Sequence, residues 1–194
     1  MDVLKLIKER RTIRKYKKKL IKKTLLNKII EAGRESSSVH GYQPWKFVVI
    51  TNKGIIRKIS NILLNVSKTV GTGPNILIRS SSETISNAQA IIIVYNSKVF
   101  SKLAARFKED YVTVAALSEE LAIAASIQNM LLTAESLGIG SCWFATPLFC
   151  SEEIDRLLKI KEDRLLSLLS FGYPDEHGKR SPRREYSDNV RFIK

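Results

Sequence analysis

Arg10-Arg11-Thr12-Ile13-Arg14 puts three guanidinium groups and one hydroxyl into five residues. All four groups donate hydrogen bonds suited to phosphate oxygens. The run follows an amphipathic opening in which Val3, Leu4, Leu6 and Ile7 form one apolar face of a short helix. Two readings fit these residues. Either the cations cap the carbonyl end of that helix, where the dipole favours positive charge, or they grip an anionic ligand. Taken alone, the five residues favour the cap; the rest of the chain has to decide.

The charge around this run is concentrated. Residues 1–23 hold eleven Lys or Arg against Asp2 and Glu9, which is nine of the chain's fourteen net positive charges. A patch of that kind attracts polyanions, so nucleic acid has to be weighed. No zinc-finger spacing, aromatic ribonucleoprotein motif or heptad-bearing basic helix accompanies it, and no specific nucleic-acid partner is expected. Lys15, Lys17, Lys18, Lys19, Lys22 and Lys23 read as a solvated surface. The 194 residues suit one domain with a full core. Cys142 and Cys150 make no disulfide framework, and no run reaches the ~18–20 apolar residues of a membrane span. A soluble, cytoplasmic protein is expected, with no membrane partner.

Leu25, Leu26, Ile29 and Ile30 predict a helix ending near Gly33. The polar loop Ser36-Ser37-Ser38-Val39-His40-Gly41-Tyr42-Gln43-Pro44-Trp45 then feeds the strand Lys46-Phe47-Val48-Val49-Ile50. Pro44 is expected to hold Gln43 extended, with Trp45 anchoring the loop. Ile55 to Val66 predict a second helix. Residues 67–87, with Gly71, Gly73, Pro74 and serines at 80–82, read as an irregular excursion. Residues 90–95 are uniformly apolar and predict a buried strand. Residues 96–111 read as a polar connection carrying Phe100, Phe107 and Tyr111, able to lie over a pocket or to pack as a satellite.

Residues 112–137 predict one helix about 39 Å long, apolar around its circumference beyond Leu121 and stopped by Gly138. Such a surface belongs deep inside the protein or an oligomer. Strands follow at 139–145 and 165–171, with a helix at 151–158 between them. The polar tail carries Lys179, Arg180, Arg183 and Arg184 and cannot form a core of its own. Helices and strands alternate loosely, which is a mixed α/β class and not a doubly wound dinucleotide fold. No Gly-x-Gly-x-x-Gly, Walker loop, nucleophile elbow or metal spacing is present, and Cys142 reads as an inert strand thiol. No side chain is assigned as catalytic. The chemistry is then left to a bound cofactor.

Four segments taken in order resemble the nitroreductase family of FMN-dependent oxidoreductases. They are residues 10–14, the loop from Ser37 to Trp45, the run from Ser126 through Trp143, and Phe171-Gly172-Tyr173-Pro174 with its trailing arginines. The resemblance implies an α+β fold with a central, mostly antiparallel sheet, flanking helices and a long central helix. It implies one domain over 1–194, with residues 175–194 as an arm exchanged in a homodimer. Position by position, it assigns Arg10, Thr12 and Arg14, with Arg11 in the same cluster, to the flavin phosphate and pyrimidine edge. Ser37, Ser38, Val39 and Gly41 would line the flavin from the partner subunit. The backbone at Ala145 and Thr146 would lie near the reactive nitrogen, and Arg183 or Arg184 would return to the phosphate. NAD(P)H is the implied reductant and a nitroaromatic or quinone the implied acceptor. Thr12 stands where serine is usual, Ser37 where proline is, and Gly41 where asparagine is. The alternatives are a flavin-fragmenting dimethylbenzimidazole synthase or dehalogenase type, or a basic flavin- or nucleic-acid-binding protein.

Overall fold

The computed structural model describes residues 2–193. Its centre is β2 (Ala90–Asn96), a strand in which every residue is buried. β1 (Trp45–Ile50) pairs antiparallel to one side of it and β4 (Arg164–Gly172) to the other; β3 (Gly140–Phe144) completes the order β1-β2-β4-β3, all antiparallel. Because successive strand side chains point to opposite faces, the apolar run of β2 serves two cores. Ile91, Ile93 and Tyr95 join Ile56, Ile59, Leu63, Ile78 and Ile85 of α3 (Lys53–Ser67) and α4 (Thr72–Asn87). Ile92 and Val94 join Leu26 and Ile29 of α2 (Lys23–Arg34) and Ile123, Ile127 and Met130 of α6 (Glu109–Ser136). Ser167 pairs with Val94 and Leu165 with Tyr95, so Leu166 is an extra residue. This bulge shifts the inward positions of β4 by one and keeps Leu165 and Leu168 on the same face.

Several expectations are corrected. Residues 72–87 form α4, a regular helix. Pro74 sits in its first turn, where a missing N–H costs nothing, and Ser81 and Thr84 return their hydroxyls to the carbonyls four residues back. The buried Ser60–Ser82 contact at 3.0 Å lets α3 and α4 approach closely. Serines that read as loop are the packing seam. Gln43 is left-handed at φ 47°, not extended, and its N–H donates to Ser38 Oγ at 3.1 Å. Residues 96–111 are mostly helical, forming α5 (Val99–Ala104) and the start of α6. The long helix therefore begins three residues early. Its outer face stays open in this chain, with Val114, Leu117 and Leu121 exposed. Gly138 does end it, at φ 68°.

Candidate functional site

After α1 (Val3–Glu9) the chain runs along the free edge of β3, where Ile13 N donates to Ser141 O at 2.9 Å. Gly140 permits this approach, since a Cβ there would lie 2.8 Å from Ile13 Cβ. Three residues on, Tyr16 closes against Gly172. Its hydroxyl donates to Ile13 O at 2.7 Å and meets Ser170 Oγ at 2.7 Å, and burial pushes its pKa far up. Lys17 N then donates to Tyr173 O, and Asp175 N to Lys15 O, both at 2.9 Å. Lys19 Nζ lies 4.5 Å from the centre of the Tyr173 ring. The head of the chain is thus bonded to the start of its tail.

Where the two meet there is a cleft of about 290 Å³, lined by Thr12, Arg14, Glu176, His177, Gly178, Lys179 and Ser181. Glu176 Oε1 accepts the backbone N–H groups of Arg14 at 2.5 Å and Lys15 at 3.1 Å. Two adjacent amides holding one carboxylate show that this backbone binds an oxyanion. The hydroxyls of Thr12 and Ser181 and the cations of Arg14 and Lys179 add the donor set of a phosphate site, so the residues fit a phosphate-bearing cofactor.

The cluster divides its labour. Arg11 Nη1 donates to Lys8 O at 2.6 Å and Arg10 O at 2.8 Å, which is the helix-capping role. Arg10 lies near Glu135, whose carboxyl is raised by burial against the lowering effects of the Arg11 amide and the Arg10 and Arg11 charges. Thr12 and Arg14 face the cleft. Arg183 and Arg184 are exposed and do not line it; Lys179 does. Lys179, the first cation of the same basic tail, is a cleft residue that no sequence pattern singles out from Arg180, Arg183 and Arg184. Glu176 carried no signal at all, because an acid seldom marks an anion site.

Ser37, Ser38, Val39 and Gly41 lie apart from this cleft. Residues 39–41 form a short 3₁₀ turn with His40 and Gly41 both at positive φ. Tyr42 of the same loop stacks on Phe100 of α5 at 5.0 Å. Within one chain these residues and the cleft do not meet. Ala145 and Thr146 follow β3, and Thr146 Oγ1 is buried without a hydrogen-bond partner. An orphaned hydroxyl costs free energy unless something supplies its partner, which makes Thr146 a candidate ligand contact.

Cys142 and Cys150 are buried, and burial pushes their thiols up to about 11 and about 12. Both are expected to resist a thiol reagent at pH 8 until the protein is denatured, measured as reagent released with and without urea. Rapid reaction of either in the native protein would show that the burial is wrong.

A helix-covered antiparallel sheet, with an oxyanion cleft built from both ends of the chain, defines an α+β protein that binds an anion-bearing ligand. The nitroreductase family model matches residues 7–173, and the chain belongs to the nitroreductase family. A provisionally named NADH dehydrogenase/NAD(P)H nitroreductase of Methanothermobacter thermautotrophicus is 31% identical over 180 residues, 91% of this chain and 80% of its own. The crystal structure of a BluB-like flavoprotein from Clostridium difficile 630 superposes with a TM-score of 0.84 at 21% identity, covering 100% of both chains. A provisionally named nitroreductase from Desulfovibrio desulfuricans, solved in complex with FMN, gives 0.76 at 22% identity, covering 100% of this chain and 98% of its own. At those identities the two structures speak for the fold.

Proposed function

We propose that the protein is an FMN-dependent oxidoreductase that takes electrons from NAD(P)H and delivers them to a small acceptor, a nitroaromatic or a quinone. The observation that carries this reading is the convergence of Thr12, Arg14 and Lys179 on one cleft beside β3. The relatives' names, an NAD(P)H nitroreductase and an FMN complex, support the choice of cofactor and reductant. Bound flavin supplies hydride acceptance and release; the residues of this chain hold and orient it. Thr12, Arg14 and Lys179 grip the phosphate. Thr146 Oγ1 and the Ala145 backbone face the ring system. Among the described residues no helix is long and apolar enough to cross a membrane. A cytoplasmic location, where NAD(P)H is supplied, goes with this activity.

The site is completed by a second copy. Ser37, Ser38, Val39 and Gly41 reach the flavin of the partner, and the arm beyond the cleft, residues 182–193, exposed in this chain, wraps across. Val114, Leu117 and Leu121 on α6 and Val3, Leu4 and Ile7 on α1 are the apolar faces that need covering. Leu121→Glu is expected to convert the dimer to a monomer with most of its flavin lost, read by light scattering and absorbance. A parent protein that is monomeric and fully flavin-loaded would refute the shared site. The test of the activity is a flavin spectrum of the purified protein that bleaches anaerobically with NADH or NADPH. Flavin bound but untouched by either nicotinamide overturns the reductase reading, and flavin destroyed in use points to the fragmenting alternative.

A further inference from the structure

Glu176 lines the cleft, yet it is bound to neither of the cleft's cations. Among the described residues it makes no ion pair with Arg14 or Lys179. Its Oε1 accepts instead the backbone N–H groups of Arg14 at 2.5 Å and Lys15 at 3.1 Å. A carboxylate that merely filled an empty phosphate site would be gripped by the guanidinium and ammonium that suit a phosphate. This one continues a pairing of main chains. Lys17 N donates to Tyr173 O and Asp175 N to Lys15 O, both at 2.9 Å, around the antiparallel bridge of Tyr16 with Pro174. The next rung is made by the Glu176 side chain.

Two residues on, the tail is fixed again. A Cβ at Gly178 would fall 2.2 Å from Arg11 Cβ and 3.2 Å from Ile13 Cδ1, so only glycine lets the tail lie this close to the head. The segment from Glu176 to Gly178 is therefore held against residues 11–15 twice, once by an acceptor and once by the absence of a side chain. The groups that suit the ligand flank this double hold: Thr12 and Arg14 on the head, Lys179 and Ser181 on the tail. Because the Arg14 and Lys15 amides are spent on Glu176, a phosphate in the cleft is left to those four side chains. Holding the main chain by its amides costs the guanidinium none of its five donors.

We propose that Glu176 is a positioning residue for the cofactor phosphate: by clasping the main chain at Arg14 and Lys15 it sets the spacing between the Thr12–Arg14 and Lys179–Ser181 donors, and so favours FMN over riboflavin. This rests on the flavin reading above. Cofactor-free protein is titrated with FMN and with riboflavin, followed by flavin fluorescence. Glu176→Ala is expected to raise the Kd for FMN about tenfold and to leave that for riboflavin unchanged. Glu176→Asp keeps the charge but falls short by one methylene; it shows the same loss and serves where Glu176→Ala fails to fold. Glu176→Gln keeps an acceptor oxygen at the same reach and stays within about threefold of the parent. A general defect of folding would weaken both flavins together and would not be rescued by glutamine.

Tighter FMN binding in Glu176→Ala shows a competing anion and overturns the proposal. An equal loss with riboflavin overturns it, and so does a glutamine variant as weak as the alanine one. A parent protein that binds neither flavin removes the flavin reading itself, and the phosphate role falls with it. The clasp is read separately by hydrogen exchange in cofactor-free protein. The Arg14 and Lys15 amides exchange faster in Glu176→Ala than in the parent, and parent-like exchange at both overturns the clasp whatever the ligand.

Discussion

Replacing Arg14 by alanine is expected to weaken FMN binding about ten- to a hundredfold while leaving the melting temperature close to that of the parent. The magnitude is that of a hydrogen bond to a charged group, about 1.5–3 kcal/mol, with each 1.4 kcal/mol worth a factor of about ten. The fold is spared because the Arg14 side chain is exposed, and the contact that holds this residue to Glu176 is made by its backbone N–H. Titration of cofactor-free protein with FMN, followed by flavin fluorescence, gives the affinity. The loss should shrink as salt is added, since an exposed guanidinium is screened. Arg11→Ala should behave oppositely, with little change in FMN affinity and a less stable α1, because Arg11 spends its donors on the helix-end carbonyls. Lys179→Ala should resemble Arg14→Ala, and Arg183→Ala should have a smaller effect. Unchanged affinity in both Arg14→Ala and Lys179→Ala would refute the assignment of the cleft.

Gly172→Ala is expected to destabilise the protein by about 2–3 kcal/mol, the cost of forcing a group into a filled interior. A Cβ at residue 172 would lie 2.6 Å from Cβ, Cγ and Cδ1 of Tyr16. The ring cannot step aside cheaply. Its hydroxyl is bonded to Ile13 O and to Ser170 Oγ, and its backbone lies in the segment docked on β3 and on residues 173–175. Displacing Tyr16 also separates the head strand from the tail, so flavin affinity should fall together with stability. Urea unfolding and FMN titration of the same variant measure both. A Gly172→Ala protein with the parent midpoint would show that the Tyr16 packing is looser than described.

The two glycines show where sequence reading stopped. Gly140 allows close backbone approach, but nothing local in the sequence says that Ile13 is what approaches. The uniform apolarity of residues 90–95 was enough to predict a strand buried on both faces. The 3.6-residue rhythm located α2, α3 and α6, because helices announce their buried faces at short range. The same rule failed at α4. Its contact face carries Ser81, Ser82 and Thr84, and a seam of small hydroxylic residues looks like a loop until the facing Ser60 is in place. Gln43 failed for a related reason. The rule for a residue before proline is a preference, and the Ser38 hydroxyl together with Trp45 burial outweighs it. Lys179 and Glu176 were missed because their roles arise only from the neighbours that folding supplies.

By itself, then, the sequence determined the α+β class, the central buried strand, the long helix and the place of the chain in the nitroreductase family, all of which rest on patterns readable within a few turns or strands. Only the tertiary structure decided which arginine caps a helix and which faces a cleft, and that Glu176 and Lys179 line that cleft together with Thr12. Those facts depend on contacts between residues far apart in the chain, such as Arg14 and Glu176, 162 positions apart. Local propensity carries no information about such pairs. They are settled when the strands align and the two ends of the chain are brought to the same edge of the sheet.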